Sequence, residues 1–167
     1  PDVDKAALDA EAPRQYVERI SRVKAAAVRL RVDDSRVVLA ADTCVVLDNE
    51  ILGKPRDPAD AANMLRRLSD RTHWTTTGVT VDGPLGVDTM SVVTEVVFAP
   101  LDQQQIDWYV ASGEPLDKAG AYGIQGLASA FISRITGSHS NVVGLPLTET
   151  VELLTKHGVA VTGRGTP

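Results

Sequence analysis

A single aspartate, Asp42, interrupts an almost continuous apolar run, between the segments VVLAA and TCVVL. Burying an ionised carboxylate costs several kcal/mol of hydration unless a cation or hydrogen-bond donors compensate it. One explanation is structural: the side chain caps backbone groups at a strand end or bulge. The other is a charged site in which Asp42 has a cationic partner.

Three lysines are candidates for that partner. Lys54 follows Asp42 by twelve residues in the segment LGKP, where glycine and proline restrain the loop that presents it. Lys24 lies at the edge of the apolar face of a predicted helix and can reach inward. Lys118 precedes a glycine-rich segment. Each also has an ordinary explanation: a solvated turn for Lys54, a side chain reaching along the helix for Lys24, and a pair with Asp117 for Lys118.

Residues 118–126 read KAGAYGIQG, with a glycine at every third position. This is neither the G-x-G-x-x-G dinucleotide loop nor the G-x-x-x-x-G-K-[ST] phosphate loop. Gln125 supplies a donor and an acceptor on a short side chain, which suits the edge of a nucleobase. One carboxylate, several lysines and a polar glycine-rich loop suit a polyphosphate with a divalent metal, because the carboxylate can bind the ion or activate water while the lysines neutralise phosphate charge.

Composition excludes several other classes of protein. The 167 residues carry 17 basic and 22 acidic side chains, so a net charge of −5 argues against a surface that binds nucleic acid or anionic membranes. No membrane-spanning run or signal peptide is present, and the expected location is the cytoplasm. One cysteine, Cys44, and three scattered histidines give neither a disulfide nor a zinc-ligand pattern. The apolar strand around Cys44 should keep its thiol protonated.

Helices and strands are predicted to interleave along the chain. Apolar periodicity, caps and glycine stops give these elements: a helix over 13–31, strands over 36–48, 73–83, 89–98 and 127–135, a helix after Asp57, a helix between Asp102 and Gly113, a loop over 113–126, a helix over 145–158, and a short strand or tail from 159. Because strict βαβ alternation is absent and the middle holds a hairpin-like pair, we predict an α/β fold with a mixed sheet flanked by helices.

At these residues the sequence resembles the Maf family, septum-formation proteins that act as nucleoside triphosphate pyrophosphatases. The similarity runs in order through YVERISRVKA, VVLAADTCVVLDNEILGKPRDPADAANMLRRLSDRTHWTTTGV, IDWYVASGEPLDKAGAYGIQGLASAFI and GSHSNVVGLPL. The resemblance implies a Maf/ITPase-like fold and hydrolysis of a nucleoside triphosphate to its monophosphate and pyrophosphate. It also implies Mg²⁺ or Mn²⁺ as cofactor, a cytoplasmic location and a homodimer.

By the same resemblance, Asp42 is the base or metal ligand, and Lys24 and Lys54 hold the triphosphate. Thr43 and Gln125 match the branch that acts on dTTP and UTP, where they would bind the base. Lys118 is assigned as a phosphate-binding or structural residue.

The sequence also departs from the family pattern. The family opens with a strand and a serine- and arginine-rich phosphate-binding loop that residues 1–167 do not match, so we expect one Maf-like domain that lacks both, in a chain trimmed at its start. Lys5 replaces the family's usual glutamate and reverses the charge at a site position. These departures leave two alternatives open: a catalytically impaired nucleotide-sensing or protein-interaction module, and a structural domain in which Asp42 pairs internally with Lys24 or Lys54.

Overall fold

The computed structural model describes residues 3–6, 8 and 10–160. In chain order its helices and strands are α1 (Pro13–Arg29), β1 (Val38–Leu47), β2 (Glu50–Leu52), α2 (Pro58–Leu68), β3 (Thr72–Gly83), β4 (Gly86–Phe98), α3 (Gln103–Ala111), β5 (Ile132–Thr136), α4 (His139–Val143) and α5 (Leu147–Lys156). None of the helices in these residues is both long and apolar enough to cross a membrane.

The five strands form one sheet in the order β2-β1-β3-β4-β5. The predicted α/β class, with helices flanking the sheet, is confirmed. The sheet itself differs from the predicted mixed one, because every strand pair in the described part of the chain is antiparallel. The valine-rich run of β1 correctly indicates a strand covered on both faces, but burial on both faces does not determine strand direction.

Two segments differ locally from their predicted structure. The apolar pattern predicts one strand over 127–135, whereas Leu127–Phe131 is a 3-10 helix and the strand begins at Ile132. The predicted loop over 113–126 contains two 3-10 turns, Glu114–Asp117 and Ala119–Ala121. Short apolar runs do not distinguish a strand from a tight helical turn, which explains both differences. Residues 159 and 160 form no strand, and the rest of that predicted element lies outside the described residues.

Helix α1 covers one face of the sheet. It begins at Pro13, as predicted, and buries Val17 and Ile20 completely against the strands. The helix approaches β3 at Gly78, where a Cβ would lie 2.7 Å from the backbone nitrogen of Glu18 and closer still to the carbonyl of Val17. Gly78 pairs with Asp42 of β1. The missing side chain therefore brings α1 down onto the strand beside Asp42.

Replacing Gly78 with alanine should destabilise the fold by about 3 kcal/mol, because the new methyl group meets backbone atoms that cannot move independently of the helix. Urea denaturation would measure the free energy of unfolding. Gly53→Ala is the matched control, since a Cβ there meets no atom within 4 Å. Equal stability of the two variants would contradict the close packing of α1 on β3.

The opposite face of the sheet carries the larger core. Leu47 of β1, Leu65 of α2, Phe98 of β4 and Tyr109 of α3 are all buried there. Helix α2 starts as the sequence predicts, with the Asp57 side chain accepting a hydrogen bond from the nitrogen of Asp60. The two faces place β1 between α1 and this core, with Asp42 on the α1 side.

Candidate active site

A cavity of about 620 Å³ opens where β1 extends beyond its short partner β2. Strand β2 pairs only with Val45, Val46 and Leu47, so residues 41–43 lie beyond it. The charged lining of the cavity consists of four lysines and two acids, namely Lys5, Lys24, Lys54, Lys118, Asp42 and Glu114. The remaining lining residues are polar or apolar and come from both sheet faces, namely Ala41, Thr43, Val45, Thr75, Ala119, Tyr122, Gly123, Ile124, Gln125, Gly126, Val142, Val143 and Gly144. Four lysines against two carboxylates make it a basic site in an acidic protein, which favours an anionic ligand.

Asp42 is buried at one end of the cavity and contacts two ammonium groups. Its Oδ1 accepts hydrogen bonds from Lys24 Nζ and Lys5 Nζ, both at 2.6 Å. Lys24 also donates to the carbonyl oxygen of Ala41 at 2.8 Å. The predicted contact between Asp42 and a lysine is confirmed. Charge therefore compensates its burial, and no backbone group of the described residues donates a hydrogen bond to its carboxylate.

Lys5 completes this cluster, although no catalytic or binding role is predicted for it from the sequence. Its side chain is 47% exposed, whereas that of Lys24 is 19% exposed and that of Asp42 is 3% exposed. The Lys5 ammonium, whose charge is opposite to that of the family's usual glutamate, thus lies directly on the Asp42 carboxylate. A more exposed lysine can turn towards a ligand at little cost, because water already solvates part of it.

The neighbours of Asp42 also experience its charge. Burial raises the pKa of the Cys44 thiol to about 12, and the Asp42 charge adds to that rise. Burial and the same charge raise the pKa of Tyr16 to about 12. The predicted protonated thiol is confirmed, so Cys44 is no candidate nucleophile.

The other two predicted lysines lie on the same cavity with different surroundings. Lys54 is exposed. The Lys118 ammonium pairs with Asp117 at 2.6 Å, as its ordinary explanation predicted. The hydrogen bond from Lys118 lowers the pKa of Asp117, and the charge of Lys54 contributes to that shift. Both lysines therefore belong to one charged rim, and neither contacts Asp42 at ion-pair distance.

Thr43 lies next to Asp42 but faces the opposite side of the sheet, since side chains alternate along a strand. Its hydroxyl is 2.9 Å from the Thr77 hydroxyl and 3.4 Å from the carbonyl oxygen of Gly144. Thr77 also donates to the carbonyl oxygen of Asn141. The Thr43 hydroxyl thus helps to hold the α4 segment as a wall of the cavity, in addition to any contact with a ligand.

The glycine-rich loop forms the facing wall. Gly120 has φ +67°, and a Cβ there would lie 2.9 Å from side-chain atoms of Val45, so its backbone packs directly on β1. Glu114 fixes the loop by accepting hydrogen bonds from the Tyr109 hydroxyl and the Leu127 nitrogen. Gln125 is exposed on the cavity lining, where its amide can reach a ligand.

An aromatic cluster supports the floor of the cavity through Tyr122. The Tyr122 hydroxyl is 2.8 Å from His73 Nε2, and both rings pack edge-on against Phe98. His73 is fully buried, and burial lowers its pKa to about 4. A neutral imidazole is therefore part of the folded structure at neutral pH.

His73 predicts a pH dependence of stability. Its pKa is depressed in the folded state, so the unfolded chain takes up the proton first and stability falls as the pH drops from about 6.5 towards 4. We expect this residue to account for a loss of about 3 kcal/mol between pH 7 and pH 4. Urea denaturation of His73→Phe should show a smaller acid loss than the wild type, while the exposed His139→Gln should match the wild type. An equal acid loss in all three proteins would contradict the buried neutral state.

The cavity can hold a divalent metal ion only if the substrate supplies some of the ligands. In the described ranges there is no group of three or more histidine, cysteine or acidic side chains that could hold a metal ion. Both lysines bind Oδ1 of Asp42, and within the same part of the chain no hydrogen bond reaches its Oδ2. Mg²⁺ commonly binds one or two carboxylates together with substrate phosphates and water. Asp42 fits that kind of site.

Comparison with known families decides the relationship of the chain. The model for Maf-like protein matches residues 1–157. The chain belongs to the Maf-like family. Family membership thus agrees with the resemblance carried by the ADT, GKP and GIQG motifs.

Relatives of this Maf-like chain carry a consistent name. A dTTP/UTP pyrophosphatase from Anaeromyxobacter dehalogenans is 55% identical over 161 residues, which cover 94% of this chain and 80% of that protein. Proteins of the same name are 51% identical in Symbiobacterium thermophilum, over 96% of this chain and 82% of the relative. In Vibrio cholerae the identity is also 51%, over 93% of this chain and 83% of the relative.

Sequence reasoning missed several cavity residues of the Maf-like chain. Thr75 and Tyr122 form part of the floor, and Glu114 secures the loop. The segment HWTTTGV contains three consecutive threonines, which is a signal for a polar strand facing something other than core. Which hydroxyl faces the cavity depends on strand register, and that required the structure.

Proposed function

We propose that this Maf-like protein is a nucleoside triphosphate pyrophosphatase that converts dTTP or UTP to the monophosphate and pyrophosphate. The observation that carries the proposal is the buried Asp42 carboxylate, held by two lysines at the end of a basic cavity of nucleotide size. Relatives at 51–55% identity named dTTP/UTP pyrophosphatase support the substrate class.

Asp42 is proposed to activate the water that attacks the α-phosphorus. The new P–O bond forms as the bond from the α-phosphorus to the bridging oxygen breaks, and pyrophosphate leaves. The water proton passes to the carboxylate or to solvent. A divalent ion, Mg²⁺ or Mn²⁺, would be held by Asp42 together with substrate phosphate oxygens, where it would neutralise phosphate charge.

The lysines are proposed to stabilise the leaving group. Negative charge grows on the pyrophosphate oxygens as the bond breaks. Fixed ammonium groups near these oxygens therefore stabilise the transition state more than the ground state. Lys24 and Lys54 take this role, and Lys5 is positioned to join them because it shares Oδ1 with Lys24. Lys118 is proposed to extend the positive rim.

Gln125 and Thr43, which line the same cavity, are proposed to contact the base. A site that hydrogen-bonds the correct base edge rejects a wrong base strongly, because a mismatch leaves polar groups unpaired. Thr43 would act largely by holding the wall at Gly144 in place, since its hydroxyl already has protein partners.

A panel of nucleotides tests the proposal against a nucleotide-sensing module. The protein would be incubated with dTTP, UTP, CTP, ATP and GTP in Mg²⁺ or Mn²⁺, and released pyrophosphate and binding would be measured in parallel. We expect pyrophosphate release with a preference for dTTP and UTP. Binding without release would favour the sensing module, and neither binding nor release would favour a purely structural domain.

A further inference from the structure

We propose that Thr75 is a specificity-determining residue that hydrogen-bonds the polar edge of the pyrimidine base. This inference rests on the proposed function and assigns a contact at the base end of the same cavity. Thr75 lines the cavity and is only 1% exposed. Its hydroxyl has no hydrogen-bond partner among the described residues. A buried hydroxyl without a partner costs about 1–3 kcal/mol, so a ligand that supplies one gains affinity.

The other threonine hydroxyls nearby are already engaged. Those of Thr43 and Thr77 bond each other, and Thr77 also bonds the Asn141 carbonyl oxygen. The amide nitrogen of Asn141 is engaged as well, because it donates to Thr94 Oγ1 and to the carbonyl oxygen of Thr75. Asn141 thus holds the Thr75 backbone in place through its carbonyl oxygen, while the Thr75 hydroxyl stays available to a ligand.

Tyr122 does not satisfy Thr75. Burial raises the pKa of Tyr122 to about 12, and a polar contact with the Thr75 hydroxyl opposes that rise, so the two hydroxyl groups are neighbours. The Tyr122 hydroxyl is engaged with His73 Nε2 at 2.8 Å, and its contact with Thr75 Oγ1 lacks the distance and angle of a hydrogen bond.

The position of Thr75 points to the base and not to the phosphates. Thr75 pairs with Val45, so both side chains lie on one face of the sheet, whereas Asp42 lies on the other face. The lining around Thr75 includes Val45, Tyr122 and Val142. Apolar walls with an available hydroxyl suit a nucleobase, and a hydroxyl can either donate to a base carbonyl or accept from a ring N–H.

Thr75→Val tests the assignment because it keeps the side-chain shape and removes only the hydroxyl. Calorimetry of dTTP and UTP binding to the full chain should show about tenfold weaker affinity for both nucleotides, which share the same base edge. Affinity for inorganic triphosphate, which has no base, should not change. The melting temperature of the free protein should rise by about 3 °C, since valine removes a buried unpaired hydroxyl.

Thr150→Val is the matched control. Thr150 on α5 is 3% exposed, its hydroxyl also lacks a partner among the described residues, and it does not line the cavity. This variant should raise the melting temperature by a similar amount while nucleotide affinity stays at the wild-type value. The contrast separates relief of an unpaired hydroxyl, common to both variants, from loss of a ligand contact.

Unchanged dTTP affinity in Thr75→Val would overturn the assignment, and equal weakening of dTTP and inorganic triphosphate would overturn its placement at the base. Binding is measured directly, so tenfold weaker dTTP binding by Thr75→Val supports the base contact whether or not the wild type hydrolyses dTTP. Failure of the wild type to hydrolyse dTTP would contradict only the proposed hydrolysis. Absence of any dTTP binding by the wild type would overturn both proposals.

Discussion

Asp42→Asn should lower the turnover of dTTP by about 10³-fold while leaving the protein folded. Asparagine has nearly the same shape but cannot accept a proton from water and binds a divalent ion poorly, so it removes the group proposed to activate the nucleophile. Stability should change little, because the two lysines left without a carboxylate are 19% and 47% exposed and can turn to water. Steady-state pyrophosphate release and urea denaturation would measure the two effects.

Asp48→Asn is the control for this substitution. Asp48 follows the same strand and forms an exposed ion pair with Arg71 at 2.6 Å, and neither residue lines the cavity. An exposed pair contributes about 0–1 kcal/mol, so both activity and stability should stay near wild type. Turnover by Asp42→Asn equal to that of the control would remove Asp42 from the chemistry.

Lys24→Met should reduce both stability and activity, unlike Asp42→Asn. It leaves the Asp42 carboxylate, which is 3% exposed, with only the more exposed Lys5 as a partner. Removing one partner of a buried ion pair costs about 3 kcal/mol of stability. Loss of a fixed positive charge at the leaving group should also lower turnover by about 10²-fold. Methionine keeps the length of the side chain, so packing of α1 is largely preserved.

Adding Asp42→Asn to Lys24→Met should restore most of the lost stability but none of the activity, because the unpaired buried charge is gone while the reaction has lost both groups. Lys156→Met is the matched control, since Lys156 pairs with Asp88 at 2.8 Å and is 65% exposed. It should cost less than about 1 kcal/mol. A double variant as unstable as Lys24→Met alone would contradict the coupling of the two side chains.

The starts of the helices and the need for a cation beside Asp42 could be predicted from the sequence, because both depend on local pattern. The apolar stripe and Pro13 placed the start of α1, and the cap at Asp57 placed α2, because both signals act within one helical turn. The cost of burying Asp42 predicted a cationic partner, and Lys24 provides it. Strand direction could not be read in the same way, since a strand buried on both faces looks alike in parallel and antiparallel sheets.

The remaining site residues depend on contacts between distant parts of the chain. Lys5 lies 37 positions before Asp42 in a segment without helical or strand periodicity, so only its departure from the family pattern drew attention to it. The three consecutive threonines of β3 are chemically alike, and tertiary packing alone leaves Thr75 without a partner. Lys54 reaches the cavity as predicted but not the carboxylate itself, because it is presented from an exposed loop.

The position of bond cleavage tests the central claim most directly. The protein would hydrolyse dTTP in water enriched in heavy oxygen, and phosphorus NMR and mass spectrometry would identify the products and locate the label. Attack at the α-phosphorus predicts dTMP that carries one heavy oxygen, with unlabelled pyrophosphate, and about 10³-fold slower formation of the same products by Asp42→Asn. Formation of dTDP and orthophosphate, or label found in pyrophosphate, would contradict the proposed reaction.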